Sequence, residues 1–574
     1  MKRTTQFIGL ALVVTLLASC AGKQLSISNG AQAKIKANQL DYYIGNPKKA
    51  IVPGEGKSEF FLVDETTGKI VFTGTLPEGK LFEPAGEVVA IADFSSFEQP
   101  GTYRLAVNDS LFSNPFRIEM QPATKVTRAA IKALWYNRAG YTIPENYGGK
   151  WARAAGHPDT LVFVHESAAT KARPAGFTFS SPKGWYDAGD YNKYIVNSAI
   201  TSYTMMEAYP YYKSYFDSLK VDFPENGNNL PDLLDETLYN LRWMITMQDP
   251  NDGGVYHKLT NKSFDGMVMP DQCHNERYVV QKNTAATLDY AATMARSARL
   301  FKGFESQLPG WGDSCLVAAK KAWEWAIQNP DITYQQPKDI STGGYGDHQL
   351  TDEWFWAACE LWLATVDEAY KAKIAVAKNE IKAPDWGDVY TLGAISLLSS
   401  NGADAQLAKE GLLALADSLT TVQQQSAYNT SITRFRWGSN SDVANYGMVK
   451  LVAYRQTGDR KYLESALYDM DYILGANATG YCFVTGFGTR SPMNIHHRPS
   501  AADGIEAPIP GFLSGGPNLS VMTDCDSTGR SPYPAASFQD MLCSYSTNEI
   551  AINWNAPLIF LSGGIDAEIL STQK

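Results

Sequence analysis

The chain has 574 residues, of which 44% are hydrophobic and 12% aromatic, enough for a large core and more than one domain. Its formal net charge is −10, and no cluster of lysine or arginine occurs, so nucleic acid is excluded as an expected partner. The 31 tyrosines, 13 tryptophans and 24 phenylalanines suit a large aromatic core, a sugar-binding cleft, or both.

The N-terminus has the pattern of a bacterial export signal. Two basic residues precede an apolar segment, residues 7–17, that is too short to span a membrane. Leu17-Ala18-Ser19-Cys20 resembles a lipobox, which predicts cleavage before Cys20 and lipidation of that residue; a plain secretory signal is the alternative. We expect a signal peptide (1–20), a flexible tether (21–33), and a protein lipid-anchored in the envelope, at the cell surface or the periplasmic face of the outer membrane.

The pattern of apolar residues changes once along the mature chain. Residues 34–122 alternate apolar and polar positions between turns, as at Tyr103, Leu105 and Val107, which predicts a small β-sandwich. From residue 123 to about 570, apolar residues recur at helical spacing. Long polar loops between the helices favour a toroid of helix pairs, with a loop-built cleft at one end, over a solenoid.

Beyond Cys20 the cysteines are scattered without a Cys-x-x-Cys pair, so a zinc-finger site is not expected. Cys525 and Cys543 flank one loop and form the candidate disulfide. Cys359 lies within an apolar helical segment and is expected to be a buried free thiol.

The segment Gly184-Trp185-Tyr186-Asp187-Ala188-Gly189-Asp190-Tyr191 places two carboxylates three residues apart among aromatic side chains. Two carboxylates that face one space can hold and activate a water molecule, and the glycine between them allows a sharp turn. Aspartates that cap the following helix are the alternative interpretation, but capping accounts for only one of the two.

Two further segments carry polar groups suited to sugar chemistry. Phe538-x-Asp540-x4-Tyr545-x3-Glu549 offers a carboxyl whose pKa would be raised by nearby acids or by burial, as a general acid requires. Ile495-His496-His497-Arg498 offers donors for sugar hydroxyls. A half-buried structural glutamate and a salt-bridge loop are the respective alternatives.

These motifs, in this order, resemble glycoside hydrolase family 9, in the branch with an N-terminal immunoglobulin-like domain. Asn229-Leu230-Pro231-Asp232, Asp352-Glu353-Trp354 and Trp437-Gly438-Ser439-Asn440 extend the resemblance, which runs from about residue 35 to 564. The resemblance implies an immunoglobulin-like sandwich followed by an all-α (α/α)6 barrel, and cleavage with inversion at the anomeric carbon.

The resemblance also implies roles for individual residues. Asp190 corresponds to the general base, Asp187 to its helper and Glu549 to the general acid. The remaining expected site residues shape the subsite around the cleaved bond or contact the sugar: His496, Asp540, Arg498, Trp554, Tyr545, Trp185 and His497.

Metal sites follow from the resemblance as well. Asp352, Glu353 and Asp388 match a calcium site of relatives, with helix capping by Asp352 as the alternative. Ala139 stands where zinc-binding relatives have a cysteine, so no zinc is expected there. No cofactor is required for the chemistry.

We therefore expect an exported, inverting and endo-acting β-1,4-glycanase whose partner is a β-glucan of the cellulose, xyloglucan or mixed-linkage type. One alternative is an exo-acting enzyme of the same fold that releases glucose, cellobiose or glucosamine. The other is a non-catalytic surface glycan-binding lipoprotein, which would have no need for Asp187, Asp190 and Glu549 together.

Overall fold

The computed structural model describes residues 33–120, 124–526 and 528–571. The predicted signal peptide with Cys20, and the predicted tether up to residue 32, lie outside these ranges. No helix among the described residues has the length and apolar character needed to cross a membrane.

The N-terminal part is a β-sandwich, as predicted. Its strands are β1 (Asp41–Tyr43), β2 (Lys49–Pro53), β3 (Glu59–Asp64), β4 (Ile70–Thr75), β5 (Lys80–Phe82), β6 (Glu87–Asp93), β7 (Gly101–Asn108), β8 (Leu111–Phe112) and β9 (Phe116–Glu119). One sheet has the order β1-β9-β7-β3-β4 with β8 paired to β7, and the other has the order β2-β6-β5. The rings of Tyr42, Phe94 and Phe116 meet in the core with centroids 5.1–5.5 Å apart. The alternation at Tyr103 and Leu105 falls within β7, where both residues are buried.

The rest of the described chain is mainly helical. The helices are α1 (Lys125–Tyr136), α2 (Glu145–Gly148), α3 (Ile195–Tyr211), α4 (Lys213–Ser218), α5 (Asp232–Met244), α6 (Thr284–Phe301), α7 (Trp311–Gln328), α8 (Thr351–Thr365), α9 (Glu368–Lys371), α10 (Tyr390–Leu397), α11 (Ala403–Gln425), α12 (Ser439–Thr457), α13 (Arg460–Ile473), α14 (Arg498–Ala502), α15 (Tyr545–Asn548) and α16 (Ile552–Ser571). Local chemistry fixes several ends: the Asn283 side chain accepts the Ala286 N–H at the start of α6, and α12 ends at Gly458 with φ 72°.

Six helices form the inner ring of the (α/α)6 barrel, because most of their residues are buried on every side: α3, α6, α8, α10, α12 and α16. Within this ring α16 packs on α3, α3 on α6, α6 on α8, α8 on α10, and α12 on α16. The outer helices, such as α1 and α13, are amphipathic and bury one face against the ring. The predicted toroid is confirmed.

A small sheet among the barrel loops was not predicted. Its strands are β10 (Val162–Val164), β11 (Thr178–Phe179), β12 (Lys193–Tyr194), β13 (Lys258–Thr260) and β14 (Arg277–Val279), in the order β11-β10-β14-β13-β12. Strands of two or three residues are too short to show a periodic pattern. The sheet matters because β12 begins three residues after Asp190.

The sandwich is joined to the barrel through buried polar contacts. The side-chain oxygen of Gln39 accepts the N–H groups of Thr489 and Arg490 at 3.0 and 2.9 Å, and the Asn38 amide donates to Asp471 at 2.8 Å. The Gln39 contacts hold the barrel loop that precedes His496, and the Asn38 contact reaches α13, so the sandwich supports this side of the barrel.

The predicted disulfide and the predicted buried thiol are confirmed. Cys525 and Cys543 form a disulfide, and Cys359 is a buried free thiol.

Candidate active site

The two aspartates lie on a closed loop that leads into β12. The Asp187 N–H donates to the Asn192 carbonyl at 3.0 Å, and the Asp187 carbonyl accepts the Ile552 N–H at 2.8 Å. Gly189 lies between them, against the chain at His496. A Cβ at Gly189 would lie 2.2 Å from the His496 carbonyl oxygen, so this position requires glycine.

Asp187 is buried and held by two donors. The Asn197 amide lies 3.0 Å from both carboxyl oxygens, and the Tyr345 hydroxyl donates to Oδ2 at 2.9 Å. Burial and the neighbouring Asp190 raise the pKa of Asp187 to about 8, so Asp187 retains its proton at neutral pH. Helix α3 begins at Ile195, after β12, and its N-cap residue Tyr194 makes no side-chain cap. The capping interpretation of these aspartates is therefore wrong.

Asp190 is 6% exposed and lies on the same loop. Its Oδ2 accepts hydrogen bonds from the Asn192 amide and, at 3.2 Å, from the Tyr194 hydroxyl. These two donors orient the carboxylate.

Glu549 reaches the aspartate loop from the far end of the chain. It lies between α15 and α16, where its backbone pairs with His496 and its carbonyl accepts the Gly515 N–H at 2.8 Å. Its Oε1 accepts the N–H of Gly189, the residue between the two aspartates, at 3.3 Å. Burial, and next the charge of Asp190, raise the pKa of Glu549 well above its usual value. The raised pKa favours the protonated form of Glu549, which lies beside the two aspartates.

Asp540 lies in the lining of a groove beside His496. Its carboxylate accepts the N–H groups of Met493, at 2.8 Å, and Asn494, at 2.7 Å, together with the side-chain amide of Asn548 at 3.0 Å. A carboxylate held by these donors fixes the segment before His496 and the residue before Glu549. Asp540 therefore positions these two segments, and its expected role in shaping the subsite around the cleaved bond stays a prediction.

His496 faces a groove beside the acids. Its Nδ1 lies 2.7 Å from the Leu542 carbonyl, which can only accept, so Nδ1 carries the proton. Together with Met267, Asn494 and Met541 it lines the groove. Arg498 is buried: its Nη1 donates to the Gly189 carbonyl at 2.7 Å and its Nε to the Asp265 carbonyl at 2.9 Å.

Two predicted sugar contacts are wrong because both side chains are sealed inside the protein. Trp185 is fully buried, and its indole N–H donates to Glu236 at 2.7 Å. His497 is also fully buried, with its ring nitrogens 3.0 Å from Asn137 Oδ1 and Ser500 Oγ. Neither side chain can contact a polysaccharide.

An aromatic platform borders the acids. Tyr545 is half-buried, and its ring lies 5.4 Å from that of Trp437, which is 39% exposed. Trp554 is half-buried, with its indole against Gly438 and Gly515. No role was predicted for Trp437 from the sequence. This residue precedes Gly438, the N-cap of α12, and belongs to one of the motifs that carry the family resemblance.

Tyr345 is a second residue that the sequence analysis missed. Besides donating to Asp187, its ring contacts Tyr194 at 4.7 Å and Trp386 at 5.2 Å. Its φ of 48° is unusual for a non-glycine residue and is found mainly where surrounding contacts impose it. The glycines on both sides, in Gly343-Gly344-Tyr345-Gly346, were the available signal.

The residues predicted to bind calcium lie in an acidic cluster. Asp352 does not cap α8; its Oδ2 accepts the Val389 N–H at 2.8 Å, at the start of α10. Glu353 Oε2 and Asp289 Oδ1 are buried without a hydrogen-bond partner in the described chain. Burial, and to a smaller extent the charge of Asp352, raise the pKa of Asp388 to about 6. Among the described residues, no group of three metal-ligating side chains whose ligand atoms lie within 4.8 Å of one another includes Asp352, Glu353 or Asp388.

An (α/α)6 barrel that brings three carboxyl groups together, with a groove at His496 and the ring of Tyr545 against that histidine, is the arrangement of a glycoside hydrolase. The sequence profile described as "Glycosyl hydrolase family 9" matches residues 124–562, and that of "Cellulase N-terminal ig-like domain" matches residues 30–110. The chain belongs to glycosyl hydrolase family 9.

The chain is similar to known relatives over nearly its whole length. The chain is 43% identical to the xyloglucan-specific endo-β-1,4-glucanase BoGH9A of Bacteroides ovatus, covering 98% of this chain and 99% of the relative. It is 34% identical to endoglucanase D of Acetivibrio thermocellus, covering 93% and 83%. A solved structure described as Bacteroides ovatus GH9 superposes with a TM-score of 0.86 at 42% identity, covering 93% of this chain and 99% of the other.

Proposed function

We propose that this protein is an endo-acting β-1,4-glucanase that cleaves xyloglucan with inversion. The observation that carries the chemistry is the contact of Glu549 with the Gly189 N–H, which joins the protonated acid to the aspartate pair. The substrate class is supported by the full-length similarity to a relative named as xyloglucan-specific and endo-acting.

The proposed reaction is a single displacement. Glu549 gives its proton to the departing glycosidic oxygen while Asp190 takes a proton from a water molecule on the opposite face of the sugar ring. The oxygen of that water bonds to the anomeric carbon as the bond to the leaving chain breaks. Asp187 hydrogen-bonds the water, held in place by Asn197 and Tyr345. A β-linked chain then yields an α-configured reducing end.

His496, Arg498, Tyr545, Trp437 and Trp554 surround this centre in the proposal. The rings of Trp437 and Tyr545 provide flat apolar faces for pyranose rings. Arg498 acts through the Gly189 carbonyl, which it holds in the position that aims the adjacent N–H at Glu549.

A substrate panel tests the proposed function. Tamarind xyloglucan, mixed-linkage glucan and carboxymethyl-cellulose are digested at equal enzyme concentration, and viscosity is followed together with reducing ends. We expect the highest kcat/KM on xyloglucan and a fall in viscosity that precedes most reducing-end release. Release of one short product at constant viscosity would establish the exo-acting alternative, and no activity on any of the glucans would support the glycan-binding alternative.

We also propose that a calcium ion binds at the acidic cluster of Asp352, Glu353 and Asp388. The support is the pair of buried, unpartnered oxygens on Glu353 and Asp289, since Ca²⁺ prefers carboxylate and carbonyl oxygens. Chelation with EGTA should lower Tm, and added Ca²⁺ should restore it. An unchanged Tm, with no calcium in the purified protein, would contradict the site.

The N-terminal sequence supports lipid anchoring in the bacterial envelope as a third proposal. Expression of the full chain with labelled fatty acid should label the protein and place it in the membrane fraction. Cys20→Ser should abolish both. A labelled Cys20→Ser variant, or an unlabelled protein in the soluble fraction, would favour the plain secretory signal.

A further inference from the structure

Two adjacent side chains, where β13 begins, hold the loop that carries Tyr345. The Nζ atom of Lys258 donates to the Gly343 carbonyl at 2.6 Å, and Nε2 of His257 lies 2.7 Å from the Gly344 carbonyl. Because a carbonyl oxygen can only accept, His257 donates this hydrogen bond. Two successive residues thus hold the two successive carbonyl groups before Tyr345, and we call His257 and Lys258 the carbonyl clamp.

His257 is itself held in one orientation. The side-chain amide of Asn283 donates to its Nδ1 at 2.8 Å, and its ring stacks on that of Tyr334 with centroids 3.8 Å apart. Burial lowers the pKa of His257 to about 3, so the ring is neutral at neutral pH and carries its one proton on Nε2. The donor to the Gly344 carbonyl is therefore fixed in both position and protonation.

Lys258 is fully buried among neutral acceptors. Besides the Gly343 carbonyl, its Nζ donates to Thr342 Oγ1 and to Gln336 Oε1, both at 3.1 Å. Burial lowers the pKa of Lys258 to about 7, and the charge of Asp190 opposes this change. Because the burial of an amine is costly, a lysine at this position indicates a specific task beyond filling the core.

The loop held by the carbonyl clamp brings a hydroxyl group to the aspartates. Tyr345 has φ 48° and donates to Asp187 Oδ2 at 2.9 Å. A left-handed conformation in a residue other than glycine costs free energy and persists only where surrounding contacts impose it. The Gly344 carbonyl belongs to the peptide group that joins Gly344 to Tyr345, so the clamp supplies such a contact at the strained position.

The neighbouring strand connects the clamp to the second aspartate. Lys258 lies opposite Tyr194 in the β12–β13 pair, and the Tyr194 hydroxyl donates to Asp190 Oδ2 at 3.2 Å. The rings of Tyr194 and Tyr345 are in contact, with centroids 4.7 Å apart. The two tyrosines that bind Asp187 and Asp190 are therefore fixed from the same pair of strands.

We infer that the carbonyl clamp positions Tyr345, and through it Asp187, for the proposed hydrolysis. His257 and Lys258 are positioning residues, because their hydrogen bonds reach the loop and not the reacting groups. Since their role is defined by that reaction, the inference rests on the proposed function. Without the clamp, the Tyr345 hydroxyl no longer fixes the carboxyl group that holds the attacking water, so turnover falls while substrate binding is kept.

A double-mutant cycle tests this route. Lys258→Met and Tyr345→Phe are made singly and together in the full-length protein, and kcat and KM are measured on the glucan that the wild-type protein cleaves fastest. Each single change should lower kcat by about tenfold, as expected for the loss of one hydrogen bond, with little change in KM. Because both changes interrupt the same route, the double variant should also lose about tenfold. A loss of about a hundredfold in the double variant would show independent effects and would overturn the inference.

Two further variants separate positioning from a general loss of stability. His257→Phe keeps a ring but removes the donor to the loop, and it should lower kcat as Lys258→Met does; it replaces Lys258→Met in the cycle if that variant does not fold. Lys48→Met is the matched control, because Lys48 is a fully buried lysine of the sandwich that donates to the Asn46 carbonyl at 3.1 Å. This control should keep kcat even where Tm falls.

The possible results distinguish the carbonyl clamp from the proposed function. An active wild-type protein with unchanged kcat in Lys258→Met or His257→Phe would overturn the clamp alone. Equal loss of kcat in Lys48→Met would show a general structural effect and would contradict the clamp as well. A wild-type protein without activity on any glucan would contradict the proposed function, and the clamp with it.

Discussion

Buried carboxyl groups with raised pKa values occur both in the catalytic groove and at the junction between the two domains. In the groove, burial and the charge of Asp190 together raise the pKa values of Asp187 and Glu549. At the junction, burial raises the pKa of Asp471 to about 8 and that of Asp566 to about 7. A raised pKa alone therefore does not distinguish the two regions.

The partners of the carboxyl groups make the difference. Asp471 accepts from Asn38 at 2.8 Å, and Asp566 accepts from Tyr215 at 2.8 Å and Thr127 at 3.1 Å, so neutral donors satisfy both at the junction. In the active site, Glu549 accepts the N–H of Gly189, the residue between the two aspartates, and the charge of Asp190 contributes to the raised pKa values of both Asp187 and Glu549. A raised pKa indicates catalysis where acids are coupled beside a groove, and indicates only burial where they are isolated.

The largest expected effect is a loss of kcat that occurs in an active-site variant and is absent from a variant at the domain junction. Glu549→Gln should lower kcat by roughly 10²–10⁴-fold, the usual contribution of a general acid, because the amide cannot give up a proton to the leaving oxygen. Substrate affinity, measured by calorimetry with a xyloglucan oligosaccharide, should change little. Asp566→Asn at the junction is the matched control and should keep kcat. Equal loss of kcat in both variants would show that the effect is structural.

The second prediction concerns the base. Asp190→Asn should reduce hydrolysis by about the same 10²–10⁴-fold, since the water molecule loses its proton acceptor. Azide, which needs no deprotonation, should partly restore cleavage and give a glycosyl azide detectable by mass spectrometry. Hydrolysis at the wild-type rate would remove Asp190 from the mechanism.

The three acids of the active site could be predicted from the sequence because each lies in a short, recognisable motif. Asp187, Gly189 and Asp190 lie within four residues, and Glu549 follows a run of aromatic and polar residues. The helical region was visible from apolar residues that recur at helical spacing after residue 123, and α6 (Thr284–Phe301) is one of the helices found there.

Other features depend on contacts between distant segments and could not be read locally. Trp185 and His497 adjoin true site residues, yet their side chains point into the core, and adjacency in sequence does not fix that direction. Tyr345 contacts Asp187 only because the barrel brings two distant loops together.

A third prediction concerns the groove platform. Trp437→Ala should raise KM several-fold with little change in kcat, because an aromatic contact of this kind contributes on the order of 1 kcal/mol. Trp437→Phe retains a flat ring and should stay close to wild type. Initial rates across xyloglucan concentrations provide the measurement, and an unchanged KM in Trp437→Ala would exclude the platform from binding.

The smallest expected effect is on stability at the junction. The pKa of Asp471 is raised to about 8 in the folded protein, above the unfolded value of about 3.9, so the folded state binds more protons between these values. The Asp471 contribution to stability is therefore lost as pH rises through this window. Asp471→Asn should have a higher Tm than wild type at pH 8, and the difference should shrink towards pH 5. The same Tm difference at both pH values would contradict the assigned shift.

The central claim is that Glu549 and Asp190 act from opposite faces of one sugar in a single displacement. Proton NMR of a xyloglucan oligosaccharide, recorded from the first minutes after enzyme addition, resolves the anomeric configuration of the new reducing end before mutarotation. The account predicts that the α-anomer appears first and then equilibrates. Initial formation of the β-anomer would require a covalent intermediate and would contradict the assigned roles of the three acids.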